Sequence, residues 1–156
     1  MEAQYSPIQI EEKWSKIWAD RELEKPGSED HFSQIIPPPN VTGTLHMGHS
    51  FQYAIMDFYT RYHHMNGTDS YWQVGTDHAG IATQMVVENN LLNEGKSKDD
   101  LGREKFLEEV WKWKDYSEGE ISAQMKRLGI TVEWDKYRFT YDDDFCKGVN
   151  KAFVEL

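Results

Sequence analysis

Two histidines three residues apart, His46 and His49, flank Gly48 at the end of Pro37-Pro38-Pro39-Asn40-Val41-Thr42-Gly43-Thr44-Leu45-His46-Met47-Gly48-His49. A step of three puts both imidazoles on one face of a first helical turn. The prolines stiffen the approach, so the loop loses little entropy when it orders around a ligand. Gly43 permits a tight turn. A helix starting near Leu45 turns its free N–H groups and the positive end of its dipole toward this loop, which favours an anion. Gly48 has no side chain, so a flat ring can approach the backbone there. The combination suits a nucleotide, with the phosphates beside the histidines and the base over Gly48. Three other readings remain open. The histidines could be a metal pair, which would need further ligands and has only His78 as a good candidate. They could be ordinary surface residues, or the segment could be a proline-rich structural turn.

A second segment with chemical potential is Gly75-Thr76-Asp77-His78-Ala79-Gly80. A carboxylate at Asp77 can hold an ammonium group through a charge-assisted hydrogen bond. Aspartate also suits a helix N-cap. The sequence leaves both roles open, and one residue can fill both.

The elements around these loops follow from periodicity. Ser6-Pro7-Ile8-Gln9 reads as a helix start, and Ile10, Trp14 and Trp18 give that helix one apolar face before it fades at Lys25-Pro26-Gly27-Ser28. His31 to Ile36 reads as a short strand stopped by the prolines. A helical pattern from about Leu45 to Met65 puts Phe51, Ile55, Phe58, Tyr62 and Met65 on one face, and Asn66-Gly67 ends it. Ser70 to Val74 is a second strand, and a helix to about Asn93 follows the second loop. Ser97-Lys98-Asp99-Asp100 is a capping box for a helical region reaching roughly Leu128, with stripes Phe106/Val110/Trp113 and Ile121/Met125/Leu128 and a break at Gly119. A last helix is capped at Thr140-Tyr141-Asp142-Asp143, with Phe145, Val149 and Phe153 expected inward.

Strand, loop, helix, strand, loop, helix is the order of a βαβ unit with parallel strands and a right-handed crossover. Ligands bind outside the carboxyl ends of such strands. Both loops, 37–49 and 75–80, follow strands, so they are expected side by side on one rim. The fold class is α/β, a Rossmann-like parallel sheet with flanking helices, incomplete within this chain. Residues 1–30 read as an N-terminal helical extension, 31–95 as the first half of a nucleotide-binding domain, and 96–156 as a helical connecting region.

Composition narrows the function classes. A net charge of −10 opposes a phosphate-binding surface, so RNA contacts, if the whole protein makes them, are expected to come mostly from elsewhere. The charge also serves solubility. No apolar run approaches a membrane span, and the N-terminus has no apolar h-region, so neither an anchor nor a signal peptide is expected. The single cysteine, Cys146, cannot form an internal disulfide, which fits a reducing, cytoplasmic setting.

The thirteen residues from Pro37 to His49 resemble the first signature of the class I aminoacyl-tRNA synthetases, His-Ile-Gly-His, with Met47 at the second position. Their flanks resemble the valine-specific branch. The segment Trp72-Gln73-Val74-Gly75-Thr76-Asp77-His78-Ala79-Gly80 resembles it too, where isoleucine and leucine relatives have Gly-Trp-Asp. Trp111, Trp113-Lys114, Arg127-Leu128-Gly129, Trp134-Asp135 and Arg138-Phe139-Thr140 extend the resemblance over nearly the whole chain. They are read as core and connector, without chemistry.

The resemblance implies ATP-dependent activation of valine to valyl-adenylate and transfer to tRNA(Val), with Mg2+ accompanying ATP. It implies that Thr44, His46, Gly48 and His49 bind ATP, His46 and His49 stabilising the α-phosphate region as pyrophosphate leaves. Pro37, Pro38 and Asn40 would shape the valine side, and Asp77 would meet the valine amino group. No metal ligand is assigned. The second family signature, Lys-Met-Ser-Lys-Ser, is absent, as are the editing insertion and the anticodon-binding helices. The chain is therefore expected to be a half-site of the ligase, inactive alone and able to self-associate through an open sheet edge. The alternative is a truncated paralogue serving as a nucleotide-binding or protein-interaction module.

Overall fold

A computed structural model describes residues 6–19 and 29–156. Strand β1 (His31–Ile35), helix α2 (Met47–Met65) and strand β2 (Asp69–Gln73) form the expected βαβ unit, preceded by helix α1 (Pro7–Ala19). The strands pair in parallel, from His31 opposite Asp69 to Ile35 opposite Gln73. Helix α2 lies on one face of them. Phe32 stacks on His63 with ring centroids 3.9 Å apart, and Gln34 Nε2 donates to the Met56 carbonyl at 2.7 Å. The expected fading of α1 at residues 25–28 lies outside the described residues.

The side of α2 that meets the sheet carries Tyr53, Met56 and Thr60, with Tyr53 and Thr60 buried. The stripe Phe51, Ile55, Phe58, Tyr62 and Met65 faces outward, from 44% exposed at Ile55 to 85% at Met65. Periodicity shows which residues share a face, not which face the sheet takes. Here Gln34 projects from β1 and needs polar partners, and Thr60 and the Met56 carbonyl supply them. The opposite face of the sheet is open at Ile35, which is 75% exposed, although parallel sheets are ordinarily covered on both faces.

Two-residue strands β3 (Gly75–Thr76) and β4 (Arg138–Phe139) add a second parallel pair. A Cβ on Gly75 would lie 2.2 Å from the Arg138 carbonyl oxygen, so only glycine allows this approach. Residues 96–156 thus contribute a strand as well as helices. Helix α3 (Gly80–Asn93) packs on α4 (Lys98–Leu128) around Val87, Leu91 and Phe106. Ser97 caps α4 by accepting from the Asp100 N–H at 3.1 Å, and Gly129, at φ 72°, ends it. The break falls at Gly102 (φ 73°, ψ 168°), not at Gly119. Gly119 stays helical because Ser117 and Ile121, on either side, are held in the interior.

The main core joins Ile36, Tyr53, Trp72 and Val74 of the βαβ unit to Ile121, Met125, Ile130 and Val132. The last helix, α5 (Asp143–Glu155), departs from expectation: Phe145, Val149 and Phe153 are 44%, 67% and 84% exposed. Its apolar side is real but mostly open: the Arg138 guanidinium lies 5.0 Å from the Phe145 ring centroid, while Val149 and Phe153 stay exposed.

Candidate functional site

The two loops leave the ends of β1 and β2 and continue the pairing. Ile36 N–H donates to the Gln73 carbonyl, Asp77 N–H to the Pro39 carbonyl at 2.8 Å, and Val41 N–H to the Asp77 carbonyl at 3.0 Å. Asn40 and Asp77 form an isolated parallel bridge. The expected juxtaposition on one rim is therefore made by backbone hydrogen bonds. Pro37 and Asn40 are exposed there, Pro38 is half-buried, and Pro39 is buried.

His46 is the N-cap of α2, in extended backbone, and His49 is three residues on. The rings form a reciprocal capping box. His46 Nδ1 accepts from the Gly48 N–H at 3.1 Å, and His49 Nδ1 accepts from the His46 N–H at 3.1 Å. The rings stack with centroids 3.8 Å apart. An Nδ1 that accepts carries a lone pair, so each neutral ring bears its proton on Nε2. Burial, and then repulsion from His46, hold the His49 pKa below its ordinary value. Two of the N–H groups expected to be free for an anion are thus taken by the rings, which carry donor capacity onward at Nε2–H. Gly48 also makes room for the His46 ring: a Cβ there would lie 2.9 Å from His46 Cε1. Thr44 is exposed beside them.

Asp77 is not the N-cap of α3. That position belongs to Ala79, in the left-handed region at φ 43° without a side-chain cap bond. Asp77 Oδ1 instead accepts the Ala79 N–H at 2.6 Å, the two-residue reach of an Asx turn. Oδ2 has no partner among the described residues. His78 donates its backbone N–H to Thr140 Oγ1 at 2.9 Å, and its Nδ1 lies 2.6 Å from the same hydroxyl. This places His78 in the second loop's own bonding, away from the His46/His49 caps. Among the described residues no cluster of three or more potential metal ligands forms.

Helix α4 holds both loops. Trp113 Nε1 donates to the Val41 carbonyl at 2.9 Å, Ser117 Oγ to the Gly43 carbonyl at 2.9 Å, and Leu45 N–H to Gln124 Oε1 at 2.8 Å. Toward the second loop, Thr76 Oγ1 donates to Glu118 Oε1 at 3.1 Å and accepts from Tyr137 at 3.0 Å. Lys114 pairs with Glu118 at 2.6 Å. Burial pulls the ammonium of Lys114 down, but hydrogen bonds and charge from Glu118 and Asp115 outweigh it, so its pKa is raised. Burial pushes the Tyr137 phenol up to about 12. Sequence reasoning missed these α4 residues and Thr140. The available signal was polar or N–H-bearing side chains at Trp113, Ser117 and Gln124, on the inward side of a helix whose neighbouring positions are apolar.

Comparison with known proteins places this geometry. Residues 9–156 match the family model for tRNA synthetases class I (I, L, M and V). The chain is 54% identical over 153 residues to a valine–tRNA ligase of Acinetobacter baylyi, covering 97% of this chain and 16% of that protein. It therefore spans about a sixth of that relative's length. Its fold is similar to that of a LeuRS from Agrobacterium radiobacter K84, solved in a ternary complex with tRNA and LeuAMS. The TM-score is 0.72 at 20% identity, over 98% of this chain and 18% of that one. With the family model matching almost from end to end, the chain belongs to the class I tRNA synthetases.

Proposed function

We propose that the chain supplies the first half of the ATP- and valine-binding site of a valine–tRNA ligase. One observation carries the reading: the proline–histidine loop and the Asp77 loop are joined at Pro39, Val41 and Asp77 on one rim, so phosphate-facing and ammonium-facing groups share a site. The 54% identity to a valine–tRNA ligase supports valine as the substrate and gives no support to a non-ligase paralogue.

In the proposed reaction a valine carboxylate oxygen bonds to the α-phosphorus of ATP, and the bond from that phosphorus to the bridging oxygen breaks. Valyl-adenylate forms and pyrophosphate leaves. The carboxylate is already ionised, so no general base is required. Catalysis is positioning and charge stabilisation. The Nε2–H groups of His46 and His49 face the phosphates, with Thr44 and Gly48 beside them. Asp77 holds the valine ammonium through Oδ2 while Oδ1 keeps the turn. Pro37, Pro38 and Asn40 border the amino acid. Mg2+ enters with ATP. A terminal ribose hydroxyl of tRNA(Val), bound by parts of the ligase beyond this chain, then forms the ester with the valyl carbonyl carbon, whose bond to the phosphate oxygen breaks to release AMP.

This reading makes the chain a half-site. The purified 156-residue chain is expected to give weak or no heat with ATP in calorimetry and no valine charging of tRNA. The exposed apolar sides of α2 and α5 and the open sheet face are expected to drive self-association, visible by light scattering. Robust charging by the chain alone would overturn the half-site assignment.

A further inference from the structure

We propose that α4 is a positioning strut for the phosphate half-site: Trp113, Ser117 and Gln124 seat residues 41–45 and, through them, hold His46 and His49 with their Nε2–H groups outward. The proposed function says what those groups act on. The positioning is a property of this chain.

The three residues project from one side of α4 at spacings of four and seven. Each bonds a backbone group of a segment with no regular structure of its own, at Val41, Gly43 and Leu45. Ser117 is only 1% exposed. A serine inside a helix ordinarily bonds its own preceding turn or faces water. This one reaches across 74 residues of sequence to the Gly43 carbonyl.

The order of donors at the loop–helix junction shows how the effect reaches the rings. Leu45 N–H goes to Gln124, the next N–H, at His46, goes to His49 Nδ1, and the Gly48 N–H goes to His46 Nδ1. Leu45 itself packs on the main core. The orientation of one peptide plane is thus fixed by Gln124 immediately before the plane that feeds the His49 ring, and the plane that feeds the His46 ring follows within the same turn. If Gln124 no longer accepts, a part-buried N–H is left without its partner, and the segment turns to find another. The His46 N–H then leaves His49 Nδ1, and the ring loses what fixes its proton on Nε2.

The test is nitrogen NMR of the histidine side chains in the 156-residue chain, across pH, for wild type, Gln124→Leu, Ser117→Ala and Gln124→Glu. The wild type is expected to show the Nε2–H tautomer at His46 and His49 once deprotonated. In Gln124→Leu and Ser117→Ala, the Nδ1–H tautomer should become populated at both, and the lowered pKa of His49 should rise toward its ordinary value. Gln124→Glu keeps an acceptor oxygen and should retain the wild-type tautomers at both rings, although its added charge raises their pKa values. His63 and His64, at the far end of α2, should stay unchanged in all four, which separates local release from general loosening. Should Gln124→Leu fail to fold, Ser117→Ala and Gln124→Glu make the same comparison. Unchanged tautomers at His46 and His49 in the folded variants would overturn the proposal, as would equal perturbation of His63 and His64. The readout involves neither ATP nor valine, so its failure leaves the proposed function untouched, and failure of valine activation leaves the strut untouched.

Discussion

Replacing His46 and His49 together by asparagine is expected to slow valine-dependent ATP–pyrophosphate exchange by at least 10²-fold, on the scale of about 10²–10³ for one lost charge-stabilising donor. The natural vehicle is a chimera in which this chain replaces the matching 153 residues of the Acinetobacter baylyi valine–tRNA ligase. Asparagine is the informative substitution. Its side-chain oxygen can stand where Nδ1 accepts, so the caps at Gly48 and His46 survive, and asparagine is itself a good N-cap. It has nothing at the Nε2 position. The substitution removes the outward donors and leaves the turn. Alanine removes both, so His46→Ala should also cost about 1 kcal/mol of stability for the lost cap. Half-saturation by valine should change little in the asparagine variant. Near-normal exchange there would sink the assignment of the phosphates to this pair.

Asp77→Asn is expected to raise the valine concentration needed for half-maximal exchange strongly while folding stays nearly intact. Removing one member of a buried, hydrogen-bonded charge pair costs about 2–5 kcal/mol of binding, or roughly 30-fold to several thousandfold. Asparagine keeps an oxygen for the Ala79 N–H, so the Asx turn and the left-handed Ala79 persist. The charge alone is lost. Asp77→Ala should lose the turn as well and melt lower. If Asp77 only shaped the turn, asparagine would match wild type in valine requirement, and the ammonium role would fall.

Much of the site's placement was legible because it rests on strong local signals. The triple proline ended β1, Asn66-Gly67 ended α2, and the βαβ order implied that both loops share a rim. The backbone bonds at Pro39, Val41 and Asp77 bear this out. Other features had no local signal. Strands β3 and β4 are two residues each, too short for alternation, and they meet across some 60 positions of sequence through a glycine that admits a carbonyl. The apolar stripes of α2 and α5 were real, but a stripe carries no information about its cover, and both face outward here. Gly119 looked like a break because glycine disfavours helix interiors, by about 1 kcal/mol. Tertiary packing outweighs that cost at Gly119, whereas Gly102 takes up a conformation open to glycine at φ 73°. The sequence did not show that the imidazole of His46 lies against Gly48, so that a Cβ there would clash with it. The role of α4 left only a faint signal, polar or N–H-bearing side chains on its inward side, because its three contacts are single hydrogen bonds to distant backbone groups.

The most direct test of the central claim is valine-dependent ATP–pyrophosphate exchange by the unsubstituted chimera. The chain as a true valine and ATP half-site predicts exchange that requires valine and approaches that of the parent ligase, because the rest of the enzyme then completes the site. A folded chimera that binds ATP yet shows no valine-dependent exchange would contradict the account.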